Sequence, residues 1–218
     1  MRQANTQKKY TQLLIILLIN FISYPFLINN IGAILLSLTF LYAIIIIVKT
    51  FSIKIIFFRF YSCIAILAFC LSLISHLGLY KSWTIAFLIL FQSIYAIYLI
   101  VAIYLIARDV FLGRKVTVDT IRGSICIYLL IGFVWGLLYG IIASINPQAF
   151  SQLIIFEEPF GEAFYFSFTT LTTLGYGDII PLSPLGKMLT NLEAIIGQLY
   201  PSILIAILVS DYLAQREK

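Results

Sequence analysis

The stretch PFGEAFYFSFTTLTTLGYGDII, Pro159–Ile180, decides how the rest of the chain is read. It lies between two long apolar runs, Ile121–Ile145 and Leu185–Leu213. Its own apolar part, Phe160–Leu174, is too short to cross a hydrocarbon core of about 30 Å, and a glycine-rich tail follows it. Non-helical backbone is tolerated at membrane depth only where protein covers it or where it lines a water-filled path. The pattern therefore predicts a re-entrant half-helix and loop. Pro159 and Glu162 suit the start of that half-helix, with the carboxylate at the positive end of the helix dipole. The negative end then points toward the membrane centre, where it favours a cation.

Composition agrees with a bilayer setting. Of 218 residues, 62% are hydrophobic and 11% charged, whereas soluble domains carry about 25% charged residues. The formal net charge of +5 does not point to nucleic acid, because the basic residues sit in short gaps between apolar runs rather than on one face among aromatics. Cys63, Cys70 and Cys126 all fall inside apolar runs, which suits small core residues and neither a disulfide framework nor a zinc site.

A spanning helix needs about 20 mostly apolar residues, and that ruler picks out six runs: Leu13–Ile28, Ile31–Val48, Ile55–Leu79, Trp83–Ala107, Ile121–Ile145 and Leu185–Leu213. The first two are separated only by Asn29 and Asn30, and a tight hairpin is expected there. One helix over Leu13–Val48 would be about 54 Å long and overshoot the core. The basic head before LLIILLI resembles a signal peptide but no A-x-A-like site follows, so an uncleaved first span is expected. With both termini cytoplasmic, every Lys and Arg except Lys81 and Lys187 falls on the inner side, as the positive-inside rule requires. Glu157, Glu158, Glu162 and Asp178 then gather outside. The linkers KTFSIKIIFFRF and RDVFLGRKVTVDTIR mix basic and apolar residues and are expected to lie along the interface. The expected fold is an all-α integral membrane protein of the cell (inner) membrane, with six transmembrane helices and a re-entrant segment between the fifth and sixth. Residues 1–115 would form a four-helix membrane region and residues 116–218 a pore domain.

The loop has a physical use. Gly175 and Gly177 can adopt positive φ without a Cβ clash, so a backbone of alternating handedness can aim successive carbonyl oxygens one way, with the Thr173 hydroxyl in line. Four copies around an axis would stack rings of oxygen that replace a cation's hydration shell. One loop per chain thus implies a homotetramer.

The residues also carry a resemblance. TTLGYGD, Thr172–Asp178, resembles the potassium channel signature, with Leu174 where valine or isoleucine is more usual, and AFYFSF resembles that family's pore helix. VTVDTIRGSICIYLLIGFVWGLLYG and LEAIIGQLYPSILIAILVSDYL are similar to small bacterial potassium channel proteins of the ion-channel-2 type. The resemblance implies that the carbonyls of Thr173, Leu174, Gly175 and Tyr176, with the Thr173 hydroxyl, form potassium sites in a filter ending at Gly177. It implies that the Tyr176 ring turns into an aromatic cuff of Tyr165 and Phe166, with Asp178 at the outer mouth. In several family members a pore-helix carboxylate pairs with that aspartate; Thr169 stands at the matching place here.

Glu193 is a carboxylate within the last span and is expected to brace the filter from behind through hydroxyls such as Thr169 or Thr172, or else to reach water at the outer end. Gly197 and Pro201 lie four residues apart on the last span and read either as a gate hinge or as packing. Trp83–Ala107 has no arginine, so a strong voltage sensor is not expected. His76 and Arg59 read as an interface histidine and a snorkelling arginine. Only AQREK follows the last span, so no regulatory domain is expected. The expectation is a passive potassium channel, with lipid and its own copies as partners. It needs no cofactor beyond the permeant ion and no small-molecule substrate. The rival classes are a secondary transporter, which would show a repeat and paired broken helices, a membrane enzyme, which would need clustered His, Asp, Glu or Cys, and a non-selective or non-conducting relative.

Overall fold

The computed structural model describes residues 10–23, 84–111, 117–151 and 161–216, and single helical positions at 38, 42, 66, 67, 69 and 70. Apart from those single positions, the second and third expected spans lie outside the described residues, as do the linker KTFSIKIIFFRF, Arg59, His76 and Pro159. Among the described residues the α-helices with defined bounds are, in order, α1 Thr11–Ser23, α2 Thr84–Phe111, α3 Val118–Ile145, α4 Gly161–Leu171 and α5 Pro184–Arg216. Three of them, α2, α3 and α5, are long and apolar enough to cross a membrane. Among the described residues there is no strand, only an isolated antiparallel bridge between Phe150 and Pro181.

Local chemistry sets the helix ends. α2 finishes with Arg108 in its last turn, where a cation meets the negative end of the dipole. α3 opens on a capping box: the Thr117 hydroxyl accepts from the Thr120 amide and the Thr120 hydroxyl accepts from the Thr117 amide, each at 3.2 Å. At the start of α5, Pro184 takes the first helical position and the Ser183 hydroxyl accepts from the Gly186 amide at 3.1 Å.

These caps correct one expectation. The described ends of RDVFLGRKVTVDTIR do not form a separate short helix: Arg108–Phe111 continue α2, and Val118–Arg122 begin α3. The cap at Thr117 starts a helix there, and Asp109 at the end of α2 is anchored by the Tyr10 hydroxyl.

α3 is the central element, in contact with α1, α2, α4 and α5. One core of buried side chains joins Leu13 and Leu17 of α1, Phe91 and Leu99 of α2, Phe133 of α3 and Phe164 and Phe168 of α4. This core runs without a break across residue 115. Apolar lipid offers helices no hydrophobic drive to associate, so close van der Waals fit must hold them together. The fit is visible at Gly132 and Gly136, where an added Cβ would meet the Phe168 ring at 2.6 Å and the Phe164 ring at 2.0 Å. Two missing side chains on α3 thus let α4 lie flat against it.

The first helix reaches further than its length suggests. At its start the Tyr10 amide donates to Asp119 at 3.2 Å and Arg122 donates to the Thr11 hydroxyl at 2.9 Å. Near its other end the Phe21 ring stands edge-on to Phe168 of α4, with centroids 4.7 Å apart. Asn20, buried on α1, turns its amide back to the Ile16 carbonyl at 2.9 Å.

Candidate functional site

α4 ends where the loop begins, and the join has a defined hydrogen-bond pattern. The Thr173 amide donates to the Thr170 carbonyl at 2.9 Å and the Leu174 amide to the Thr169 carbonyl at 2.9 Å. These two bonds, with Thr173 at φ 58°, form a Schellman motif whose left-handed position holds threonine instead of glycine. The Gly175 amide also donates to the Thr169 carbonyl, at 3.1 Å. Positive φ recurs at Gly175 (55°) and Gly177 (82°), so left-handed backbone occurs at every second residue from 173 to 177. The amides of 173–175 are spent on α4, while among the described residues no hydrogen bond reaches the carbonyl oxygens of 173–177.

The exit of the loop is pinned separately. The Ile180 amide donates to the Ser151 hydroxyl and the Ser151 amide to the Ile180 carbonyl, both at 2.9 Å. Asp178 accepts from the Tyr165 hydroxyl at 2.6 Å, so a phenol on α4 occupies the role that a pore-helix carboxylate would have had at Thr169. That hydrogen bond holds the Asp178 carboxyl below its ordinary range. The two expected cuff residues part company. Tyr165 is at the loop, whereas Phe166 turns to α3, edge-on to Tyr139 with centroids 5.0 Å apart. The Tyr176 ring is 69% exposed on the single chain.

Glu193 is wholly buried and does not reach water. Its partners are not Thr169 or Thr172. The Thr169 hydroxyl donates to the Phe166 carbonyl at 3.0 Å and that of Thr172 to the Phe168 carbonyl at 2.6 Å, so both are satisfied within α4 and its last turn. Glu193 instead meets Ser167 of α4 and Tyr139 of α3, each at 2.6 Å, and the Ser167 oxygen also lies 2.8 Å from the Gly132 carbonyl. Glu193 thus ties α5 to α3 and α4, through a hydroxyl two residues before Thr169. Ser167, the one serine inside the aromatic run AFYFSF, was the available signal; nothing in the sequence singles out Tyr139.

Gly197 and Pro201 are both inside α5. An added Cβ at Gly197 would fall 1.9 Å from the Leu171 carbonyl oxygen, so α5 and the end of α4 touch backbone to backbone. Tyr128 donates to that same carbonyl at 3.2 Å. Beside Pro201, Tyr200 donates to the Ser124 carbonyl at 2.9 Å and stacks on Tyr128. Glycine at 197 thus has a packing reason.

A half-helix and a loop of alternating handedness are thus held between two long apolar helices, α3 and α5. Residues 123–213 match the family described as Ion channel. Over 50 residues, 23% of the chain, it is 42% identical to the potassium voltage-gated channel protein shk-1 of Caenorhabditis elegans, covering 9% of that protein. Over 40 residues, 18% of the chain, it is 50% identical to the inward rectifier potassium channel Kirbac3.1 of Paramagnetospirillum magnetotacticum, covering 14% of it. The chain thus spans a small part of the relatives it matches. No solved structure matches it. Through this segment the chain is similar to potassium channels.

Proposed function

We propose that the protein conducts K+ passively through a homotetrameric, potassium-selective pore in the cell membrane. The observation that carries this reading is the loop itself: left-handed backbone at 173, 175 and 177, with amides turned to α4 and carbonyls left over. Four such loops around one axis would offer K+ the carbonyls of Thr173, Leu174, Gly175 and Tyr176 and the Thr173 hydroxyl, a hard-oxygen set suited to a dehydrated cation. The α4 dipole places its negative end at the loop.

The bare face of α5 supports the assembly. Only 11% of its most apolar window is buried within the chain, against 61% for α3. Copies of the chain and lipid would cover the rest. We read residues 1–115 as a membrane region around the pore domain 116–218, with six spans, a re-entrant α4 and both termini cytoplasmic. α2 carries no arginine before Arg108, so strong voltage dependence is not part of the proposal. A bend at Pro201, where the helix lacks an amide donor, is the proposed gate, with Gly197 as the contact that transmits it to α4.

Rubidium uptake into liposomes containing the purified protein tests the reading. Uptake that sodium does not match, and that Gly175→Asp abolishes, is expected. Equal sodium uptake would leave a non-selective channel, uptake coupled to a second ion a transporter, and no uptake a non-conducting relative.

A further inference from the structure

Hydrogen counting behind the loop leads to a definite state for Glu193. Three oxygen–oxygen contacts meet there: Ser167 to the Gly132 carbonyl at 2.8 Å, Ser167 to Glu193 Oε1 at 2.6 Å, and Tyr139 to Glu193 Oε2 at 2.6 Å. Each is at full hydrogen-bond distance and needs its own proton. The Gly132 carbonyl has none to give, so the Ser167 hydroxyl, which has one, must donate to it. Tyr139 supplies the proton of its own contact with Oε2. The 2.6 Å contact between Ser167 and Oε1 is then left with a single source. An ionised Glu193 would set two acceptor oxygens against each other at one of these contacts.

We propose that Glu193 is a neutral carboxylic acid whose Oε1–H donates to Ser167 while Oε2 accepts from Tyr139. The group is then a positioning residue, a three-way tie that joins α3, α4 and α5 at one point behind the filter without placing a net charge there. Its surroundings fit. Glu193 is fully buried, and no basic side chain pairs with it among the described residues. A neutral acid matches the available donors and acceptors one for one, which a buried network requires if it is to hold its geometry. The proposal rests on the channel reading only for the word filter; the protonation itself follows from the side-chain geometry.

Infrared spectroscopy of the full chain in liposomes at neutral pH tests it. The wild type is expected to show a carboxylic acid carbonyl band, separate from the carboxylate bands, that Glu193→Gln removes. Tyr139→Phe, which deletes the bond to the carbonyl oxygen, is expected to move that band to higher frequency, and it serves if Glu193→Gln does not fold. In rubidium uptake, Glu193→Gln, whose amide can donate to Ser167 and accept from Tyr139, is expected to exceed Glu193→Ala by roughly tenfold, since alanine strands two buried hydroxyls. Absence of the band in the wild type, its survival in Glu193→Gln, or a Gln variant no better than Ala would overturn the proposal. A wild type with the band and no uptake would sink the channel reading and leave the neutral acid standing.

Discussion

Thr173 holds a backbone conformation that β-branched residues rarely adopt, at φ 58°. Such a position costs of the order of 1–3 kcal/mol and persists only where its surroundings dictate it. Here the bonds at 2.9 Å from the Thr173 and Leu174 amides to α4 dictate it, and the hydroxyl that threonine brings is the one the proposed ion site uses. Gly175 faces the same backbone demand with open space around it, at φ 55°. Gly175→Ala should therefore destabilise the loop by about 1–2 kcal/mol through strain alone, and potassium selectivity in rubidium uptake should fall with it. Asp178 offers a titration test. The Tyr165 hydroxyl lowers its pKa, so the link contributes at ordinary pH and is lost as pH falls through that lowered value. In Tyr165→Phe the Asp178 titration, followed by NMR, should move up toward the ordinary value of about 3.9; an unmoved titration would mean the hydrogen bond has no hold on the carboxylate.

Among the elements, the approach of α5 to α4 is closer than that of α3 to α4 in the sense that matters. At Gly136 the obstacle to a Cβ is a ring, at 2.0 Å; at Gly197 it is a carbonyl of the chain itself, at 1.9 Å. Rings can turn, and backbone at a helix end cannot. Gly136→Ala should cost about 1–3 kcal/mol as overpacking, with partial recovery in the double variant with Phe164→Leu. Gly197→Ala should cost more in thermal unfolding and disturb uptake, with no such single-site recovery. The elements themselves were largely legible. Length and apolarity located α2, α3 and α5, and the glycine-rich tail located the end of α4. The contacts were not. Gly132 and Tyr139 lie on α3 and Ser167 on α4, all well before Glu193 in the chain, and no spacing rule brings them to it. Left-handed backbone at Thr173 was illegible because the residue type argues against it. The extension of α2 to Phe111 was hidden by charges that read as a linker, whereas Asp109 is used as an anchor for Tyr10.

At the scale of the molecule, α1 links the end of α2 and the start of α3 to the back of α4. Its Tyr10 end is tied to Asp109 and Asp119, and its Phe21 ring touches Phe168, which lies against Gly132. Phe21→Ala should lower thermal stability by about 0.5–1.5 kcal/mol beyond its buried area, the worth of an edge-on aromatic pair, and a double-variant cycle with Phe168→Leu should show the coupling. The assembled molecule is where the central claim lies, since one loop cannot enclose an ion and the open face of α5 calls for neighbours. The direct test is the reversal potential of the purified protein in a planar bilayer, with potassium chloride on one side and sodium chloride on the other. A potential displaced far toward the potassium equilibrium value, and abolished current in Gly175→Asp, is the predicted result. A potential near zero with current intact would contradict potassium selection by the Thr173–Gly177 loop.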